Sequence, residues 1–101
     1  MKASERIKLL NQVLWDYNIS DRDIDAVLTG RKERAGHYNR EQIFRKLLES
    51  YSWFTILQLI PPHDIKFLLT NQVINKLRSP SLKNKYEFVR ERLHQIISTS
   101  G

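Results

Sequence analysis

The helical spacing of its apolar side chains is the feature that most limits what this chain folds into. In residues 81–97, six apolar residues fall within about 100° of a helical wheel: Leu82, Tyr86, Val89, Leu93, Ile96 and Ile97. Residues 53–60 are apolar almost all round and have the length of a strand. No other stretch has the pattern of a strand that would pair with them, and a lone strand leaves its backbone N–H and C=O groups without hydrogen-bond partners. We therefore predict a central helix at 53–60.

Capping residues and prolines divide the rest of the chain into helices. Ser4, Ser20, Asn39 and Thr70 are the predicted N-caps, because each precedes an apolar run at helical spacing. Gln42, three residues after Asn39, completes a capping-box pattern. The predicted stops and starts are Gly30, the pair Pro61-Pro62, and Ser79-Pro80, where either Pro80 is the first helical residue or Ser81 is the cap. The predicted helices are 4–17, 21–29, one opening at Asn39, 53–60, two pieces of 63–78 separated at Thr70, and 81–97.

Together these elements predict an all-α fold, an irregular bundle of six or seven short helices. A chain of 101 residues has room for one domain, so we expect a single helical domain over 1–101 with about four frayed residues at its end. Residues 31–38 have no apolar period and are predicted to form a loop.

Residue content excludes several kinds of chemistry. The chain has no cysteine, so it has neither a disulfide framework nor a thiol nucleophile. Residues 21–25 begin like a calcium loop, but Ala26 and Lys32 stand where that loop needs glycine and glutamate. His37, His63 and His94 are far apart in sequence and predict no metal site. No catalytic motif is present, and we expect neither an enzyme nor a cofactor.

Charges interrupt every apolar stretch near the N-terminus, which argues against a signal peptide. The longest apolar stretch, 53–60, is far shorter than the roughly 20 residues of a membrane span. We therefore expect a soluble, cytoplasmic protein that does not enter a membrane.

The net charge of +6 comes from two segments. Residues 31–40 form the first, with four basic residues and one acidic residue. Its predicted contact residues are Arg31, Lys32, Arg34, His37, Tyr38 and Arg40. They lie just before the helix that opens at Asn39. The segment either holds a phosphate there or is a solvated surface loop.

The second segment is residues 76–101, with six basic and two acidic residues. Lys85, Phe88 and Arg92 share one flank of the last helix, away from its main apolar stripe, and no acid stands among them. With Lys83 they are the predicted contact residues of this segment. A basic edge with an exposed aromatic suits an acidic partner or nucleic acid. The alternative is that Phe88 packs beneath a neighbouring helix while the cations extend along it.

Several short motifs resemble a small bacterial domain family of unknown function with a Leu/Phe-Trp-Asp motif. The matching segments are Leu14-Trp15-Asp16-Tyr17, the helix from Ile43 to Glu49, the Trp-led run 53–57, and the stretches 74–79 and 82–88. The resemblance covers roughly residues 10–90. Such domains are often encoded beside nucleotidyltransferase-type toxins of abortive-infection systems. The resemblance therefore implies an antitoxin or accessory binding role.

The leading hypothesis is a non-enzymatic helical module that binds a protein partner, such as an acidic surface of a co-encoded nucleotidyltransferase-like protein. A nucleic-acid-binding domain is the first alternative, because the corner at 77–81 has helix-turn-helix proportions. A structural homo-oligomer, such as a homodimer, is the second, since the apolar helix 53–60 and an exposed Phe88 would bury each other across a two-fold axis.

Overall fold

A computed structural model describes residues 2–13, 20–36 and 38–97. Within these ranges the fold is all-α, with seven helices and one sheet of two very short strands. The helices are α1 Ala3–Val13, α2 Asp21–Leu28, α3 Arg40–Ser50, α4 Trp53–Leu59, α5 Pro62–Leu68, α6 Asn71–Asn75 and α7 Pro80–Ile97. The strands are β1 Arg34–Ala35 and β2 Tyr38–Asn39. Six of the helices are short, whereas α7 has 18 residues.

The predicted caps are confirmed at three helix starts. The Ser20 side chain accepts a hydrogen bond from the Asp23 amide at the start of α2, and Thr70 accepts one from Val73 at α6. Asn39 and Gln42 form the complete capping box of α3. These bonds satisfy amides that have no partner inside the helix.

The breaks in the helical pattern are confirmed as well. Pro61-Pro62 separates α4 from α5, with Pro61 as the N-cap of α5. Pro80 is the first residue of α7. Gly30 follows α2 with φ +82°, a conformation that suits glycine because it has no Cβ.

Two local predictions are wrong. Ser4 is not an N-cap, because α1 begins one residue earlier, at Ala3. Residues 31–38 are not all loop, because β1 and β2 pair antiparallel, with Ala35 opposite Tyr38. Strands of two residues are too short to produce a period of two in the sequence. Gly36, with φ +60°, begins their connection.

Close packing divides the chain into two compact units, Met1–Leu59 and Ile60–Gly101. The prediction of a single domain stays a prediction. In the first unit, α1, α2 and α3 contact one another and α4 contacts α3. Its buried apolar residues are Leu10, Ile24, Val27, Leu28, Ala35, Ile43, Phe44, Leu47, Leu48, Ile56 and Leu59.

Polar contacts join the helices of the first unit. The Tyr51 hydroxyl, just after α3, donates to the Leu9 carbonyl of α1 over 2.7 Å. Arg6 of α1 forms an ion pair with Asp25 of α2 and donates from Nε to the Leu59 carbonyl at the end of α4, over 3.0 Å. Arg6 thereby ties three helices together.

Helix α4 is less buried than its apolar composition predicts. Ile56 and Leu59 are buried, but Phe54 and Leu57 are exposed. The four residues therefore define one inner face and one outer face. The prediction of a helix at 53–60 is confirmed, but only one of its faces is buried.

In the second unit, the short helices α5 and α6 both contact α7. The buried apolar residues here are Ile60, Ile65, Leu68, Leu69, Val73, Ile74, Leu77, Tyr86 and Leu93. Ile96, predicted to belong to the apolar stripe of α7, is exposed instead, because the inner face ends near Leu93.

Candidate functional site

The basic segment 31–40 is held in part by acids of α2. Lys32 Nζ lies 2.9 Å from Asp23 Oδ1, and Arg31 Nη2 lies 3.3 Å from Asp25 Oδ2. Arg31 Nε also donates to the Thr29 hydroxyl over 3.0 Å. Two of the predicted contact cations are therefore paired with carboxylates earlier in the chain, and one of these carboxylates, Asp25, is shared with Arg6.

The other predicted residues of this segment differ in exposure. Arg34 is exposed, while Tyr38 and Arg40 are half-buried. Lys46 Nζ lies 5.3 Å from the centre of the Tyr38 ring, a cation–π distance. His37 lies outside the described residues, as does the Leu14–Tyr17 motif. The segment is a small hairpin bound to α2, and not a free basic loop.

The Asp23–Lys32 pair makes a testable electrostatic prediction. The hydrogen bond and charge of Lys32 hold the pKa of the Asp23 carboxyl below its ordinary value. Because the folded state favours the charged carboxylate, this pair stabilises the fold above the ordinary aspartate pKa, and the contribution is lost as the pH falls.

We expect Lys32→Gln to raise the pKa of Asp23, measured by NMR titration of its carboxyl carbon. Arg34→Gln, the same charge change in the same segment, is the control. Equal shifts in both variants would contradict the specific pairing.

On α7, Phe88 is 62 % exposed. The prediction that it faces away from the apolar stripe is confirmed, and the alternative of burial beneath a neighbouring helix is wrong. Arg92 covers part of the ring, with its guanidinium carbon 5.9 Å from the ring centre. Lys85 Nζ lies 5.4 Å from the centre of the Tyr86 ring. Lys83, the fourth predicted residue of this segment, is half-buried.

Phe88 lines a shallow depression with a volume of about 440 Å³. The other residues of its lining are polar or charged: Asn71, Asn84, Glu87, Arg90 and Glu91. The sequence places no acid on the flank of Lys85, Phe88 and Arg92, yet two carboxylates adjoin Phe88 here. The surface is thus an aromatic ring surrounded by groups of both charge signs. We call it the Phe88 surface.

A second cleft, of about 310 Å³, lies between α5 and α7. Its lining combines four basic or titratable side chains with an aromatic ring, an aliphatic side chain and a hydroxyl: His63, Lys66, Arg90, His94, Phe67, Leu69 and Thr70. No carboxylate is among these residues. We call this the α5–α7 cleft.

The sequence does not predict the α5–α7 cleft, because its two walls are far apart in the chain. His63 and His94, which are too far apart in sequence to predict a shared site, both line this cleft. A signal was nevertheless present, since His63, Lys66, Phe67 and Thr70 recur at helical spacing and Arg90 and His94 stand four residues apart. No group of three or more metal-binding side chains occurs among the described residues.

No protein-family model matches the sequence, and neither a curated protein nor a solved structure matches it. The resemblance to the Leu/Phe-Trp-Asp family therefore stays a prediction. Of the helices in the described ranges, none has both the length and the apolar character needed to cross a bilayer.

Proposed function

We propose that the protein is a non-enzymatic helical module that binds a protein partner through the Phe88 surface. The observation that carries this proposal is the 62 % exposure of Phe88 within a polar depression. Exposing an aromatic ring to water is unfavourable, and a partner that covers it gains apolar burial. Aromatic and arginine side chains are also the residues that most often dominate protein interfaces.

The charges around Phe88 favour a protein over nucleic acid. Glu87 and Glu91 line the depression, and their carboxylates would repel a phosphate backbone. Arg92 and Lys85 add positive charge on the same helix. A protein surface that presents both charge signs around an apolar side chain complements this arrangement. In addition, α6, which would be the first helix of a helix-turn-helix, has only five residues.

The partner that we propose to test first is a co-encoded nucleotidyltransferase-like protein. Support for this choice comes from the sequence resemblance, which implies an antitoxin or accessory role. The α7 residues Leu82–Phe88 that carry part of the resemblance include the aromatic ring of the proposed interface.

The test is co-purification and calorimetry with the co-encoded partner. Phe88→Ala is expected to weaken binding about 30-fold or more, which corresponds to the threshold of about 2 kcal/mol for a residue that dominates an interface. Phe54→Ala is the matched control, because it removes an equally large and similarly exposed ring from α4 of the first unit. Lys85→Glu and Arg92→Glu test the flanking charges.

Three results would overturn the proposal. Unchanged affinity in Phe88→Ala would exclude the Phe88 surface. Retardation of DNA or RNA that weakens steeply with salt would favour nucleic-acid binding. A dimer at micromolar concentration in sedimentation that dissociates in Phe54→Ala would favour self-association through α4.

A further inference from the structure

The α5–α7 cleft has a composition that the Phe88 surface does not explain. We propose that it binds a nucleoside phosphate, with the phosphate at Arg90 and the base against Phe67. This inference goes beyond the proposed function, since it concerns a small ligand in a different depression of the second unit. Its cavity volume of about 310 Å³ lies at the lower end of the range of small-molecule sites.

The cleft is electrostatically suited to an anion. Lys66 and Arg90 contribute fixed positive charge, and His63 and His94 contribute ring N–H donors from opposite walls. No carboxylate is among the described residues that line the cleft, although Arg90 also lines the Phe88 surface together with Glu87 and Glu91. Phosphate, which is compact and carries two charges near neutral pH, is the ligand class that uses several such donors at once.

Arg90 supplies the strongest single indication. Its Nε is buried and makes no hydrogen bond to any described residue. A buried donor without an acceptor is unfavourable. Arg90 lines both this cleft and the Phe88 surface, and an anion bound in the cleft would bring acceptors to its guanidinium group. Phosphate oxygens match the planar fork of a guanidinium group, which binds them in a bidentate manner.

Phe67 indicates that the ligand carries an aromatic base in addition to a phosphate. It is 82 % exposed and lines the same cleft. An exposed ring beside cations is the arrangement on which nucleobases stack while their phosphates are bound. Inorganic phosphate would leave this ring uncovered. A nucleoside phosphate uses both the ring and the cations.

The experiment measures the binding of three probes to the whole chain by ¹H–¹⁵N NMR titration: 5′-AMP, adenosine and inorganic phosphate. We expect saturable binding of 5′-AMP, with shifts concentrated on α5 and α7. Adenosine and inorganic phosphate should each bind at least fivefold more weakly, because each lacks one of the two recognised groups. Equal affinity for 5′-AMP and inorganic phosphate would overturn the assignment of the base to Phe67.

Two variants separate the two contacts. Arg90→Gln should weaken both 5′-AMP and phosphate at least tenfold, with Arg22→Gln as a control of equal charge change on α2. Phe67→Ala should weaken the binding of 5′-AMP about 5- to 150-fold and leave the binding of phosphate unchanged. Because Phe67 is so exposed, this variant keeps its fold even if Arg90→Gln does not.

Several outcomes would contradict the nucleotide site. These are the absence of saturable 5′-AMP binding, an equal loss in Arg90→Gln and Arg22→Gln, or a single-stranded oligonucleotide that binds far more tightly than 5′-AMP. The protein-partner proposal is tested separately, because its key variant, Phe88→Ala, does not alter the lining of this cleft. Either proposal can therefore be disproved while the other stands.

Discussion

Replacing Phe44 by alanine will lower the free energy of unfolding by about 3–5 kcal/mol. Phe44 lies on α3 with none of its surface exposed, among helices that contact α3 from several sides. Truncation removes the buried ring and leaves a cavity that the neighbouring helices fill only in part. Chemical denaturation followed by circular dichroism measures the loss.

Phe54→Ala is the internal comparison for this prediction, because Phe54 belongs to the same unit but is 72 % exposed. Its loss should stay within about 0.5 kcal/mol, as for ordinary surface substitutions. If the two variants lost equal stability, the assignment of inner and outer faces in the first unit would be wrong.

Tyr86→Ala will have an effect of similar size in the second unit. Tyr86 is fully buried on α7, and this burial raises the pKa of its hydroxyl. By analogy with other aromatic truncations in cores, we expect a loss of about 3–5 kcal/mol. Hydrogen exchange at the amides of α5, α6 and α7 locates the loss in this unit.

Phe88→Ala, two residues further along α7, should give the reverse pattern. The ring is largely exposed and contacts Arg92, so the stability loss should stay below about 1 kcal/mol while partner binding falls. A large loss of stability in Phe88→Ala would show that the ring supports the fold. A small loss in Tyr86→Ala would contradict its place in the core.

Local features of the fold could be predicted because their causes lie within a few residues. The caps at Ser20, Asn39 and Thr70 depend on amides three residues further on, and each is confirmed. The proline breaks are equally local, since proline lacks the amide donor. The helix count follows from these signals.

Features that depend on residues distant in sequence could not be predicted. Lys32 pairs with Asp23 across the end of α2, so the charge of segment 31–40 alone overstates what is available to a partner. The α5–α7 cleft joins His63 to His94 only after the second unit has folded. The spacing of residues along a helix shows which face of that helix a side chain occupies. It does not show which face of another helix packs against it.

The packing of α5 and α6 against α7 also limits which insertions and deletions the chain tolerates. Two short helices, α5 and α6, contact the single long helix α7, so their shared partner sets a common register. One residue added between Tyr86 and Arg90 would turn the rest of α7 by about 100°. Arg90 and His94 would then leave the cleft while Tyr86 stayed in the core. Relatives that keep this cleft are therefore expected to vary in length at the corners between helices and not within α7.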